Sequence, residues 1–286
     1  MAEAAVGIIG GSGLYKMEGL TEVERIFVET PFGRPSDEIV IGETGGVRAA
    51  FLPRHGVGHP IMPTEINFRA NIWALKSLGI DAVIGVTACG SLKEEIRPLD
   101  FVIVDQFFDR TSKRPSTFFG DGIVVHTSVA DPFCPHLREL LLAACKRVGV
   151  RVHDGGTYVC IEGPQFSTKA ESRVFRQLGF EVVGMTNVQE ARLAREAELC
   201  YATICCVTDY DVWREAGAEV TITEVIENLM KNVGHATSVL KDVIPKIDDG
   251  RPCSCRESLK DAIITDRGLI PRRTRERVDL LINKYM

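Results

Sequence analysis

Short apolar runs alternate with longer stretches in which apolar residues recur at helical spacing. Strands are predicted at 5–9, 47–52, 82–87, 101–105, 158–161, 181–184 and 200–207, each short, apolar and rich in β-branched or sulfur-bearing residues. Between them, Ile66, Ala70, Trp73, Ala74 and Leu78 fall near a 3.6-residue period and predict a helix over 65–78. Pro135 opens a second, amphipathic helix to Val148. Asn187 with Glu190, and Thr221 with Glu224, have capping-box spacing and predict helices to about Glu198 and Leu240. Strands alternating with helices imply an α/β fold: a single domain with a central mixed β-sheet flanked by helices. The chain after about Asp248 is more polar, which divides the domain into residues 1–247 and a C-terminal helical appendage, 248–286. Arg267, Arg272, Arg273, Arg275 and Arg277 in that appendage read as a solvated helix face.

The unusual residues cluster at strand ends, where open α/β sheets bind ligands. The run Cys200–Val207 ends in Thr208-Asp209-Tyr210-Asp211, whose two carboxylates, two residues apart, can share one side of a strand. Two acids held together raise one another's pKa, so that one can stay protonated as a general acid. A solvated turn with two capping acids is the competing reading. Gly10-Gly11-Ser12-Gly13 offers backbone N–H groups to an anion. Lys16 stands where a dinucleotide fingerprint needs its third glycine, and no Gly-Lys-Ser/Thr follows, so a bare phosphate or phosphate-bearing substrate fits better than a nucleotide. Arg54-His55-Gly56-Val57-Gly58-His59 adds a guanidinium suited to bidentate phosphate binding and a histidine able to donate a further bond; a chance basic turn is the alternative. Thr87-Ala88-Cys89-Gly90-Ser91 places small and hydroxyl residues at another strand end, and Met185-Thr186 follows a third.

A net charge of −5 makes no case for nucleic acid or a membrane surface as partner. No apolar run approaches the ~20 residues of a membrane-spanning helix, and the N-terminus lacks a basic signal region, so a cytoplasmic location is expected. Most of the nine cysteines lie in apolar segments and read as small buried hydrophobes. Cys253-Ser254-Cys255 lies in a polar run instead. A zinc site asks for CxxC-type spacing with further Cys or His, and the sequence offers no evident partner set, so no metal is expected and free thiols are the cytosolic default.

Taken in order, these runs resemble the trimeric purine nucleoside phosphorylase family, in the branch that acts on 5′-methylthioadenosine. The residues that carry the resemblance are 7–13, 30–36, Arg54-His55-Gly56 with His59, 67–75, 87–92, 105–111, 130–134, 161–167, Met185-Thr186 and 208–211; they cover residues 5 to about 245. The resemblance implies a phosphorylase/hydrolase-like fold and the phosphorolysis of 5′-methylthioadenosine to adenine and 5-methylthioribose 1-phosphate, with inorganic phosphate as co-substrate and no metal or organic cofactor. It places Ser12, Arg54, His55, Thr87, Ala88 and Thr186 at phosphate, Met185 beneath the ribose, and Phe166, Ser167, Asp209 and Asp211 at the base. Asp209 is the catalytic residue, serving N7 of the leaving purine. His59, His126, Ile222, Val225 and Ile226 match the methylthio pocket. His126 reaches it from a neighbouring subunit of a homotrimer or dimer of trimers. The carboxylates accept hydrogen bonds, so the pair suits the 6-amino group of adenine; an O6 facing Asp211 would leave acceptor against acceptor, at ~1–3 kcal/mol, roughly tenfold. Family members acting on 6-oxopurines present an Asn and a Glu instead. A 5′-methylthioinosine or general purine nucleoside phosphorylase is the alternative within the family, and a non-catalytic nucleoside-binding protein the alternative outside it. Ser12 departs from the Thr of many relatives, and the match is loose beyond residue 245. The resemblance also implies, at Cys253 and Cys255, the CxC disulfide of hyperthermophile relatives, in which the counterparts of Cys200 and Cys205 pair as well.

Overall fold

The computed structural model describes residues 4–11, 14, 20–214, 222–247 and 252–286. Ser12 and Thr221, and the side chain of Ile222, lie outside the described residues. Among the described residues, eleven strands form one mixed sheet: β1 (Val6–Gly10), β2 (Thr21–Ile26), β3 (Ile39–Thr44), β4 (Val47–Pro53), β5 (Ala82–Ser91), β6 (Phe101–Ile103), β7 (Gln106–Asp109), β8 (Val152–Asp154), β9 (Thr157–Cys160), β10 (Val182–Gly184) and β11 (Cys200–Asp209). β5 is the hub. Its first half pairs in parallel with β1 on one side and β11 on the other, and its last residues, Gly90 and Ser91, turn to pair antiparallel with β10. The sheet therefore splays open at the carboxyl ends of β5 and β11, and a crevice forms there.

Side chains alternate across β5 and β11 because a strand has a period of two. Val83, Tyr201, Cys205 and Val207 enter one apolar core, beneath α1 (Phe68–Ser77) and α4 (Val188–Glu196). Ile84, Val86, Cys200, Ala202, Ile204 and Cys206 enter the other, beneath α2 (Pro135–Val148) and α5 (Ile222–Val243). Both faces of the central strands are buried, which is why they read as continuous apolar runs. The predicted α/β sandwich is observed, and α2 has the bounds its pattern predicts, from a proline at its first turn to the left-handed Gly149 at its end. Residues 252–286 are no loose appendage: Cys255 enters the second core, and Leu259, Ile263, Val278, Leu281 and Ile282 enter the first. Of the arginines read there as a solvated face, Arg277 is the exception, half-buried and 2.6 Å from Asp121.

Three expectations are corrected. Asn187 with Glu190 is not a capping box. Asn187 holds φ 75° and makes no side-chain cap bond; its carboxamide oxygen lies 3.3 Å from the Tyr201 and Thr203 hydroxyls, while Glu190 turns inward to Arg54 and Tyr201. Tertiary hydrogen bonds in a buried site outweigh a local cap of about 1 kcal/mol. Cys200 and Cys205 cannot pair with one another, since five residues along a strand place them on opposite faces of the sheet, in different cores. Cys253 and Cys255 do have partners: the fold brings Cys134, at the N-terminal end of α2, and Cys200, at the start of β11, to them from segments more than fifty residues away in sequence.

Candidate active site

A cavity of about 410 Å³ opens at the splayed end of β5 and β11, within the size range of small-molecule sites. Its wall collects Gly11, Arg54, His55, His59, Thr87, Ala88, Phe166, Ser167, Met185, Thr186, Asp209, Asp211 and Val225 from seven separate segments. Nearly every site residue expected from sequence is therefore brought together.

On one side stand the cationic and hydroxyl residues. Arg54 follows β4 and is almost fully buried. Its Nε and Nη2 donate to the two carboxylate oxygens of Glu190 at 2.5 and 3.1 Å, Nη2 also to the Ile9 carbonyl, and Nη1 to the Val86 carbonyl. Burial alone would weaken this cation, but the Glu190 carboxylate outweighs it and holds the guanidinium above its ordinary range. The planar fork expected to grip phosphate bidentately is thus occupied by Glu190. A guanidinium has five N–H groups, and a single Nη1 N–H is left without a partner among the described residues. His55 is also not the donor expected. Its Nδ1 donates to the Ile61 carbonyl at 2.9 Å, and burial, aided by Arg54, lowers its pKa to about 4. The ring is neutral and Nε2 is an acceptor. His59 stacks on it with ring centroids 4.2 Å apart. Thr87 and Thr186 face one another, hydroxyl to hydroxyl, at 2.9 Å.

The opposite side holds the acids. Asp209 ends β11, and Asp211 lies two residues on in a turn with φ 53°, its N–H donating to Asp209 Oδ1 at 2.8 Å. Of the competing reading only the turn holds: the pair is buried rather than solvated, caps no described helix and lines the cavity. The pKa of each acid is raised, and burial is the main cause in both; Asp209 is only a lesser contributor for Asp211. Desolvation, not mutual repulsion, does most of what the sequence reading assigned to the neighbouring charge. Thr208 Oγ1 lies 3.2 Å from the Cys89 carbonyl and 2.6 Å from Asp209 Oδ2. A hydroxyl carries a single proton. The shorter contact is the bond, Thr208 donating to Asp209 Oδ2, and it opposes the upward shift that burial gives this acid. Gly90 makes room for the pair: a Cβ there would sit 3.0 Å from Asp209 Oδ1 and 3.2 Å from Asp211 Cβ. Asp211 Oδ2, Ser167 Oγ and Ser172 Oγ are buried and make no close hydrogen bond among the described residues, yet the two hydroxyls act on the Asp211 carboxylate and lower its pKa against the effect of burial.

The third wall is apolar. Val225, Leu229, Asn232, Val233 and Ala236 of α5 line the cavity at spacings of 3, 4 and 7, a single helix face. Ile226 does not belong to it. One residue on, about 100° round the helix, it is turned outward and 54% exposed. Phe166 sits at the rim, 73% exposed. His126 lies on the surface away from this chain's own cavity, its N–H donating to the Ala262 carbonyl. Sequence reading missed Glu190, Thr208, Leu229, Asn232 and Val233. The helix spacing from Val225 would have found the last three; Asn232 anchors the Val207 carbonyl through Nδ2 at 2.8 Å and leaves Oδ1 without a partner among the described residues.

Residues 5–245 match the phosphorylase superfamily. The S-methyl-5′-thioadenosine phosphorylase of Koribacter versatilis is 52% identical over 283 residues, covering 99% of this chain and 97% of its own. That of Geobacter sulfurreducens is 52% identical over 285 residues, covering 99% and 100%. Among solved structures, a methylthioadenosine phosphorylase from an antarctic soil metagenomic library superposes with a TM-score of 0.94 at 46% identity, covering 98% of this chain and 99% of that one. Methylthioadenosine phosphorylase from Schistosoma mansoni, in complex with adenine, gives 0.86 at 39% identity, covering 93% and 100%. On its sequence, its sheet and its cavity alike, the chain belongs to the phosphorylase superfamily.

Proposed function

We infer that the chain is a pentosyltransferase that cleaves 5′-methylthioadenosine with inorganic phosphate, releasing adenine and 5-methylthioribose 1-phosphate. The names of relatives 52% identical over almost the whole chain support this. The observation that carries the reading is the buried pair Asp209 and Asp211 facing Arg54, His55, Thr87 and Thr186 across one cavity.

Phosphate lies beneath the ribose and attacks C1′ as the bond to N9 breaks. Ser12 and the cavity residues Arg54, His55, Thr87, Ala88 and Thr186 hold it. The remaining Nη1 N–H of Arg54 supplies charge, and His55 Nε2 accepts the P–OH hydrogen of a phosphate dianion. Phosphate needs positioning more than activation, so a rigid, pre-paired anion side suits the reaction. Positive charge developing on the sugar is offset by the phosphate itself. The electrons of the broken bond pass to the purine, whose N7 takes the proton that Asp209 carries. Asp211 accepts from the 6-amino group. Met185 packs beneath the ribose, Phe166 and Ser167 lie by the ring, and His59 and Val225, with Leu229 and Val233, enclose the methylthio end. The reaction uses no metal or organic cofactor. The protein works in the cytoplasm as a homotrimer or a dimer of trimers, in which His126, exposed on its own chain, completes a neighbour's methylthio pocket. Among the described residues no helix is long and apolar enough to cross a membrane.

The test is adenine release from 5′-methylthioadenosine with and without phosphate. Release that depends on phosphate supports the reading. No release under either condition leaves a nucleoside-binding protein, and release without phosphate a hydrolase.

A further inference from the structure

Four sulfurs meet on the far side of the molecule from the chemistry. Cys134 stands at the N-terminal end of α2, Cys200 at the start of β11, and Cys253 and Cys255 beside and within a short 3₁₀ turn. All four Sγ atoms lie within 4.8 Å of one another, and Cys134 and Cys253 are 3.8 Å apart. A zinc–thiolate bond is about 2.3 Å, so the edge of a zinc tetrathiolate tetrahedron is about 3.8 Å. A disulfide would bring its two sulfurs to about 2.05 Å. The cluster is therefore open to the size of a metal ion. We propose that Cys134, Cys200, Cys253 and Cys255 form a structural zinc site.

The supports of the site are fixed by the fold. The Cys134 N–H donates to the Tyr201 carbonyl at 2.7 Å, which ties the first cysteine to the strand of the second. The segment that carries the other two is held by the Leu259 N–H on Glu198 at 3.0 Å and by the Ser258 hydroxyl on the Arg195 carbonyl. Cys134, Cys200 and Cys255 are buried and Cys253 is half-exposed, which leaves an entry path. Four thiols in contact are saturated donors with nothing but one another to bind, whereas a soft tetrahedral cation uses all four at once. On binding, zinc enters as the dication and four S–H protons leave, giving a site of net charge −2. The N-terminus of α2 and the Arg195 guanidinium, within electrostatic reach of Cys255, offset that charge. All four ligand positions are filled by protein, which marks a structural rather than a catalytic ion. The ion would clamp the C-terminal segment onto α2 and β11, and bind a part of the chain that the phosphorolytic site does not use.

The experiment is elemental analysis of the full-length, untagged protein, expressed with zinc and purified under reducing conditions without chelator. About one zinc per chain is expected. Replacing it with cobalt should give the strong near-ultraviolet thiolate band and visible bands of a tetrahedral site. The double variant Cys253→Ser, Cys255→Ser should lose the zinc and melt at lower temperature with kcat/KM unchanged, while Cys145→Ser, outside the cluster, keeps the metal. If the variant fails to fold, the zinc ratio and cobalt spectrum of the native chain decide alone. Nine free thiols with no bound zinc would overturn the proposal, as would a disulfide within the quartet.

Discussion

The two sides of the cavity are built on opposite principles. On the anion side almost every polar group is already engaged within the protein: Arg54 by Glu190 and two carbonyls, His55 by Ile61, Thr87 by Thr186. On the base side Asp211 Oδ2, Ser167 Oγ and Ser172 Oγ are buried with no close hydrogen bond among the described residues, the two serines acting only weakly on the Asp211 carboxylate. A pre-paired wall is rigid and places a nucleophile that needs little activation. A wall of loosely satisfied hydrogen-bonding groups is costly until the right ligand arrives, and it discriminates against the wrong one by leaving that cost in place. On the proposed reading, rate is set by how the anion side holds phosphate and how Asp209 delivers its proton, and base choice is set beside Asp211.

The largest effect should come from Asp209→Ala. Loss of a positioned proton donor costs ~10²–10⁴-fold in kcat, with KM for phosphate little changed if the two sides are separate. The native enzyme should slow as pH rises through the raised pKa of Asp209, where the proton is lost. Breaking the anion side acts on the fold instead. Glu190→Ala strands a buried guanidinium, and removing one partner of such a pair costs about 3–5 kcal/mol, readable as a fall in the denaturation midpoint. Gly90→Ala sharpens the contrast, since the atoms its Cβ would meet first belong to the two acids. A fall in kcat short of the ~10²-fold that a 1 Å misplacement brings is expected, again with phosphate binding intact.

The smallest effect concerns His55. Its folded pKa of about 4 lies below the ordinary 6.5, so its contribution to stability is whole above pH 6.5 and is lost as pH falls toward 4. His55→Gln keeps a donor for the Ile61 carbonyl but cannot titrate. Its stability should decline less steeply than the native protein's between pH 6.5 and 4; an equal slope would assign the native decline to other groups.

The two sides also differ in how far they can be read from sequence. Asp209 and Asp211 are legible because β11 is a long apolar run, buried on both faces, that ends abruptly in acids. Arg54 and His55 are legible as residues but not in their bonds. Glu190 lies 136 residues from Arg54, and with Asn187 it offers a local capping pattern that is the stronger signal in one dimension. Ser172 escaped notice because α3 (Lys169–Gln177) is polar, with only Ser172 and Phe175 buried. Strands β2 and β3 were missed too, β2 for its charges and β3 because Gly42 and Glu43 interrupt its apolar alternation. The cysteine quartet illustrates the same limit. Each thiol looks like an ordinary small hydrophobe until the topology of α2, β11 and the C-terminal turn sets it beside the others.

The central claim is that the Asp211 carboxylate, buried at the cavity wall, accepts from the 6-amino group. It is tested most directly by the ratio of kcat/KM for 5′-methylthioadenosine to that for 5′-methylthioinosine, in the native enzyme and in Asp211→Asn. The native enzyme should favour the adenine nucleoside by roughly tenfold or more, and the variant, with a donor in place of an acceptor, should lose or reverse that preference. An unchanged ratio in Asp211→Asn would contradict it.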